Sequence, residues 1–77
     1  MNVIEKMASD PLQWSLAGLK IGEGSILQIQ RAAEWITVHV KYHFLLRELR
    51  FYPDETSAES IPIIEGTPAR WLEVPAS

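Results

Sequence analysis

The stretch EWITVHVKYHF, residues 34–44, decides the fold. Ile36, Val38, Val40, Tyr42 and Phe44 are apolar, while Thr37, His39, Lys41 and His43 between them are polar. Alternation in steps of two, carried by β-branched and aromatic side chains, marks a strand with one dry face. The competing reading is a long helix over residues 25–52. Neither glycine nor proline interrupts it from Ile26 onward, and Ile26, Ile29, Ala33, Ile36 and Val40 keep a heptad-like spacing. That spacing breaks at His43 and Arg47 and leaves Val38, Tyr42 and Phe44 off the apolar stripe. The strand is the better reading.

Outward from this stretch the same period recurs in short pieces. Leu12, Trp14 and Leu16 alternate with Gln13 and Ser15; Leu19 and Ile21 flank Lys20; Leu27 and Ile29 flank Gln28; Leu49 and Phe51 flank Arg50. Turn residues at Asp10-Pro11, Ala17-Gly18, Gly22-Glu23-Gly24, Pro53-Asp54, Glu65-Gly66-Thr67-Pro68 and Pro75 cut the chain between them. Gly22-Glu23-Gly24-Ser25 lacks the lysine of a phosphate-binding loop and reads as a tight turn. Pro62 has no N–H for a ladder, so Ile61 to Ile64 belong on an edge, and Trp71 to Val74 supply a last strand. Thr67 can cap a helical turn opened by Pro68 just before that strand.

The expected architecture is mainly β: five or six short antiparallel strands in a strongly bent sheet or small barrel, because a flat sheet leaves a face and two edges unprotected. The whole chain, residues 1–77, is read as one domain, with residues 1–10 peripheral, 11–74 forming the β structure and 75–77 a tail. Its core should hold Trp14, Leu16, Leu27, Ile29, Ile36, Val38, Val40, Leu49 and Phe51.

Composition narrows the function. At 77 residues the chain buries only about 60% of its unfolded surface, so stability is modest unless a partner adds to it. There is no cysteine, hence no disulfide, no thiolate metal site and no thiol nucleophile, and a reducing cytoplasm fits best. Glu5 and Lys6 break what a signal peptide would need as an apolar run, and no stretch reaches the length of a membrane span; a soluble protein with no membrane partner is expected. A net charge of −3 gives no overall attraction to phosphate backbones, which makes nucleic acid the lesser reading.

Candidate chemistry is sparse. His39 and His43 lie about 13 Å apart along a strand, too far to share a metal ion. The serines sit in no nucleophile-elbow pattern, and Asp54, Glu55 and Glu59 group only in a polar loop. No catalytic residue, metal or cofactor is expected. What remains are aromatic residues at strand ends, Trp14, Trp35, Tyr52 and Trp71, and one basic concentration, Lys41, Arg47 and Arg50, which a hairpin between the strands around Val40 and Arg50 would bring together.

The segments WSLAGLKIGEGSILQIQ, WITVHVKY and EGTPARWLEV, spread over residues 11–74, resemble the layout of small Src-homology-3-like β-barrels. More narrowly, LAGLKIGEGSILQI followed by a tryptophan-led strand resembles a family of short bacterial proteins, often from mobile elements, that has no assigned activity. The resemblance implies a barrel of five to six strands with a short helical turn before the last. It departs from the barrel pattern in having no Gly or Asn turn between Phe44 and Leu49, and no complete acidic–aromatic loop for a proline-rich peptide.

These readings converge on a non-enzymatic binding or adaptor module whose partner is another protein, with Trp14, Trp35, Tyr52, Trp71, Lys41, Arg47 and Arg50 as candidate contact residues. The alternative is a mobile-element inhibitor or nucleic-acid-associated protein, using either the acidic loop or the basic strip. The early strands between Leu12 and Ile21 carry only Lys20 as a charged guard, so an edge there is expected to be open to a second copy, giving a homodimer.

Overall fold

The computed structural model describes residues 2–10, 12–53 and 60–73. Eight strands, β1 (Glu5–Lys6), β2 (Trp14–Leu16), β3 (Leu19–Ile21), β4 (Ile26–Arg31), β5 (Glu34–His43), β6 (Glu48–Pro53), β7 (Ile61–Pro62) and β8 (Ala69–Glu73), follow one another without a helix among the described residues. They form two antiparallel sheets, one of three strands in the order β1-β2-β3 and one of five in the order β7-β6-β5-β4-β8. The strand reading therefore holds for residues 34–43, and the helical alternative does not.

Three hairpins organise these sheets. Ala17 and Gly18 join β2 to β3 with φ of 55° and 80°, the two left-handed residues of a type I′ turn, whose twist matches that of the flanking strands. Ala32 and Ala33 join β4 to β5 in the same way, with φ of 50° and 66°. An alanine in this region carries Cβ strain of roughly 1–2 kcal/mol. Between β5 and β6 runs a four-residue loop, 44–47, closed by the Arg47 N–H donating to the His43 carbonyl at 2.8 Å, with Arg47 itself at φ 56°.

Residues 2–4 connect the two sheets. The Ile4 N–H donates to the Thr67 carbonyl at 2.9 Å, the Ile4 carbonyl accepts from Gly66 at 2.8 Å, and the Asn2 carbonyl accepts from Ala69 at 3.0 Å. This segment pairs alongside the start of β8, after which Glu5 and Lys6 pair with β2. Within the segment expected to be peripheral, residues 2–6 are thus structural, and Ile4 is fully buried with its neighbours held on both sides.

The expected single bent sheet or barrel is also corrected. Among the described residues β3 pairs only with β2 and β7 only with β6, so the ladder does not close. β7 has two residues, one of them Pro62 without a donor, and cannot carry a further strand. No helical turn forms at Thr67 and Pro68: the Thr67 hydroxyl donates backward to the Ile64 carbonyl at 2.7 Å across a turn whose Gly66 has φ 91°, and Pro68 bridges Val3.

The inner faces of the two sheets enclose one cluster, Ile4, Leu16, Ile21, Leu27, Ile29, Val38, Val40, Phe51 and Ala69, all fully buried. Of the expected core, Leu16, Leu27, Ile29, Val38, Val40 and Phe51 lie in it, and Trp14, Ile36 and Leu49 pack half-buried against it. Tyr42 and Phe44 depart from the expected dry face. β4 ends opposite His39, so beyond Val40 the β5–β6 hairpin projects past the sheet and no described residue covers its apolar side.

Candidate functional site

The projecting end of the β5–β6 hairpin is the least ordinary surface of the molecule. Phe44 is 83% exposed, Leu45 84%, Leu46 51% and Tyr42 48%, four large apolar side chains contiguous at one tip. Their presentation is fixed by the backbone. The His43 carbonyl accepts from Arg47, and His43 Nδ1 accepts from the Leu46 N–H at 3.1 Å, so both groups of His43 close the loop. Just below the tip, the Glu23 carboxylate accepts from the Tyr42 N–H at 3.2 Å, standing in for the strand that β5 lacks there. Lys41 and Arg47 flank the apolar residues and are exposed.

A second surface is the outer face of the five-stranded sheet, opposite the core. Because Val38 and Val40 point inward, Trp35, Thr37, His39 and Lys41 point outward; by the same alternation so do Gln28, Arg50, Tyr52 and Arg70. The Arg70 guanidinium lies 4.2 Å from the Trp35 ring centroid and its Nε donates to Gln28 Oε1 at 2.8 Å, while Gln28 Nε2 donates to Thr37 Oγ1 at 3.3 Å. Lys41 Nζ sits 5.7 Å from the Tyr52 centroid. Each ring therefore carries a cation within the range of a cation–π contact.

The seven residues expected to make contacts separate into three groups. Trp35, Tyr52, Lys41 and Arg50 share the outer sheet face; Lys41 and Arg50 are directly opposite each other in the β5–β6 register. Arg47 lies at the hairpin tip. Trp14 and Trp71 pack half-buried against the core, and the Trp71 Nε1 donates to the Leu16 carbonyl at 2.9 Å. Arg50 is engaged on both sides, with Nε on Ser60 Oγ at 2.6 Å and Nη1 on Glu48 Oε2 at 2.6 Å. The acidic group Asp54, Glu55 and Glu59 falls outside the described residues.

Sequence reasoning missed Leu45, Leu46 and Arg70. Phe44-Leu45-Leu46 interrupts the alternation of β5, and three consecutive apolar residues between two strands were a signal of an apolar loop. Arg70 could have been placed opposite the core from Ala69 and Trp71 on either side, but its meeting with Trp35 depends on the β4–β8 pairing, which no local pattern reveals.

A cleft of about 430 Å³ lies between the end of β4 and the β7–β8 connection, floored by Ile29, Phe51 and Ile61 with Thr67 and Arg31 at its border. No helix among the described residues is long and apolar enough to cross a membrane. Comparison with protein-family models, with curated proteins and with solved structures finds no match to this chain.

Proposed function

We propose that this chain is a non-enzymatic binding module that engages a protein partner through the end of its β5–β6 hairpin. The carrying observation is the contiguous exposure of Tyr42, Phe44, Leu45 and Leu46 on a loop closed by its own hydrogen bonds. Exposed apolar patches of this kind mark interaction sites, and aromatic and aliphatic anchors supply most of the energy when they fill a pocket. A loop that is already shaped loses little conformational freedom on binding. Lys41 and Arg47 beside the tip match a partner whose apolar pocket has an acidic rim.

The test compares capture from native cell extract by the wild-type chain and by a Phe44→Ser/Leu45→Ser variant, with a photo-cross-linker at residue 46 to identify what touches the tip. A protein cross-linked at that position and lost from the variant supports the reading. Equal capture by both chains refutes it, provided circular dichroism shows the variant folded.

A further inference from the structure

We infer that the outer face of the five-stranded sheet is a binding surface for single-stranded nucleic acid. It adjoins the hairpin tip and shares Lys41 with it, but its rings and Arg70 lie away from Phe44 and Leu45, so the two readings are tested by different variants. Three features carry it. Trp35 and Tyr52 are aromatic rings on the sheet face opposite the core, over which no described strand packs, and the register places Tyr52 beside His39, four residues along β5 from Trp35, or about 13 Å. Rings so placed are stacking platforms for unpaired bases, whose flat faces a duplex hides.

The second feature is charge. Lys41, Arg50 and Arg70 stand on this face against Glu48 and Glu73, while the chain as a whole carries −3. Glu48 is tied to Arg50, so among the described residues Lys41 and Arg70 are the cations offered to phosphates, with Glu73 as the remaining acid on the face. The third is the posture of Arg70, held by Gln28 at 2.8 Å and over Trp35 at 4.2 Å. A guanidinium stacked on a ring presents a flat cationic surface on which a base can stack in turn while its N–H groups reach a phosphate. An acidic protein surface would use the cations but not the rings, and that difference decides the test.

Fluorescence anisotropy with labelled oligo-U, oligo-dT and a duplex of equal length measures the binding directly. Single strands are expected to bind and the duplex to bind at least fivefold more weakly. With two phosphates neutralised, the logarithm of the binding constant should fall against log salt with a slope of about −1.4, a loss of about sevenfold between 50 and 200 mM. Arg70→Ala or Lys41→Ala should each reduce that slope by about half. Trp35→Ala and Tyr52→Ala should each weaken binding at least fivefold, whereas Trp35→Phe, which keeps a ring, should retain it, and the Phe44→Ser/Leu45→Ser variant should bind as the wild type does. No binding to any single strand at low salt overturns the inference. So does binding that survives loss of both rings, or polyglutamate retaining the protein as well as the oligonucleotides do, since either shows charge recognition alone.

Discussion

The indole Nε1 of Trp71 donates to the carbonyl oxygen of Leu16 at 2.9 Å, and this bond joins β8 of the larger sheet to β2 of the smaller. Both residues belong to the interior where the sheets meet. Trp71→Phe keeps most of the packing but removes the donor, leaving a part-buried carbonyl without that partner. The expected cost is about 1–3 kcal/mol, read from urea unfolding. A variant as stable as the wild type would show that water replaces the indole.

Ala32 and Ala33 occupy a turn that favours asparagine and glycine. An Ala32→Asn/Ala33→Gly chain should gain roughly 1–2 kcal/mol by relieving left-handed strain. For a domain of this size that is a rise in melting temperature of about 4–8 °C per kcal/mol, measurable by thermal circular dichroism. A fall would mean that the alanine methyl groups pack usefully in the turn.

Ile4 and Leu12 lie close in the chain and differ in burial. Ile4→Ala should destabilise by about 2–5 kcal/mol, because the side chain is wholly enclosed by the core cluster. Leu12→Ala, on a side chain exposed to solvent, should stay within about 0.5 kcal/mol. Similar values for the two would contradict the docking of residues 2–4 beside β8.

The hairpin tip should be dispensable for folding. Phe44→Ser/Leu45→Ser is expected to leave the unfolding midpoint unchanged within about 0.5 kcal/mol, since neither side chain is covered. A marked loss would place these residues in the folding core rather than at an interface.

β3 presents an edge that no described strand pairs. A second copy added there across a two-fold axis centred on Lys20 would set two lysines opposite each other, which is unfavourable in a cross-strand pair. We propose that homodimer formation through this edge is weak and that Lys20→Thr strengthens it. Light scattering over a concentration series should show a larger mass for the variant at equal concentration. Equal masses near 8.7 kDa for both chains would exclude this mode.

What could be read from the chain was what local pattern encodes. The alternation in residues 34–44 favoured a strand with Val38 and Val40 inward over a helix, and the turn at Ala17-Gly18 announced itself by its glycine. The turn at Ala32-Ala33 did not, because two alanines carry no turn signature and sit there only because β4 and β5 pair on either side. Ile4 was left in the peripheral segment for a similar reason: a run as short as residues 2–6 has no period of its own and acquires structure from residues 66–69 and from β2. For the binding surfaces, alternation put Lys41 and Arg50 on one face, but the exposure of Phe44 follows from where β4 stops, a tertiary fact. Trp14 was already expected in the core, whereas Trp71 gave no local sign that it would pack half-buried where β8 meets β2.

The pairing of residues 2–4 with residues 66–69 also sets an order of events during synthesis. β5 and β6 are near neighbours in the chain and can form as soon as both have left the ribosome, whereas residues 2–4 have no partner until residues 66–69 have emerged. A growing chain that stops short of residue 66 therefore holds a hairpin with an apolar tip and an Ile4 whose backbone partners are still missing. Closure of such distant contacts is slow compared with hairpin formation. The nascent chain is expected to spend that interval exposing its apolar surface to chaperones.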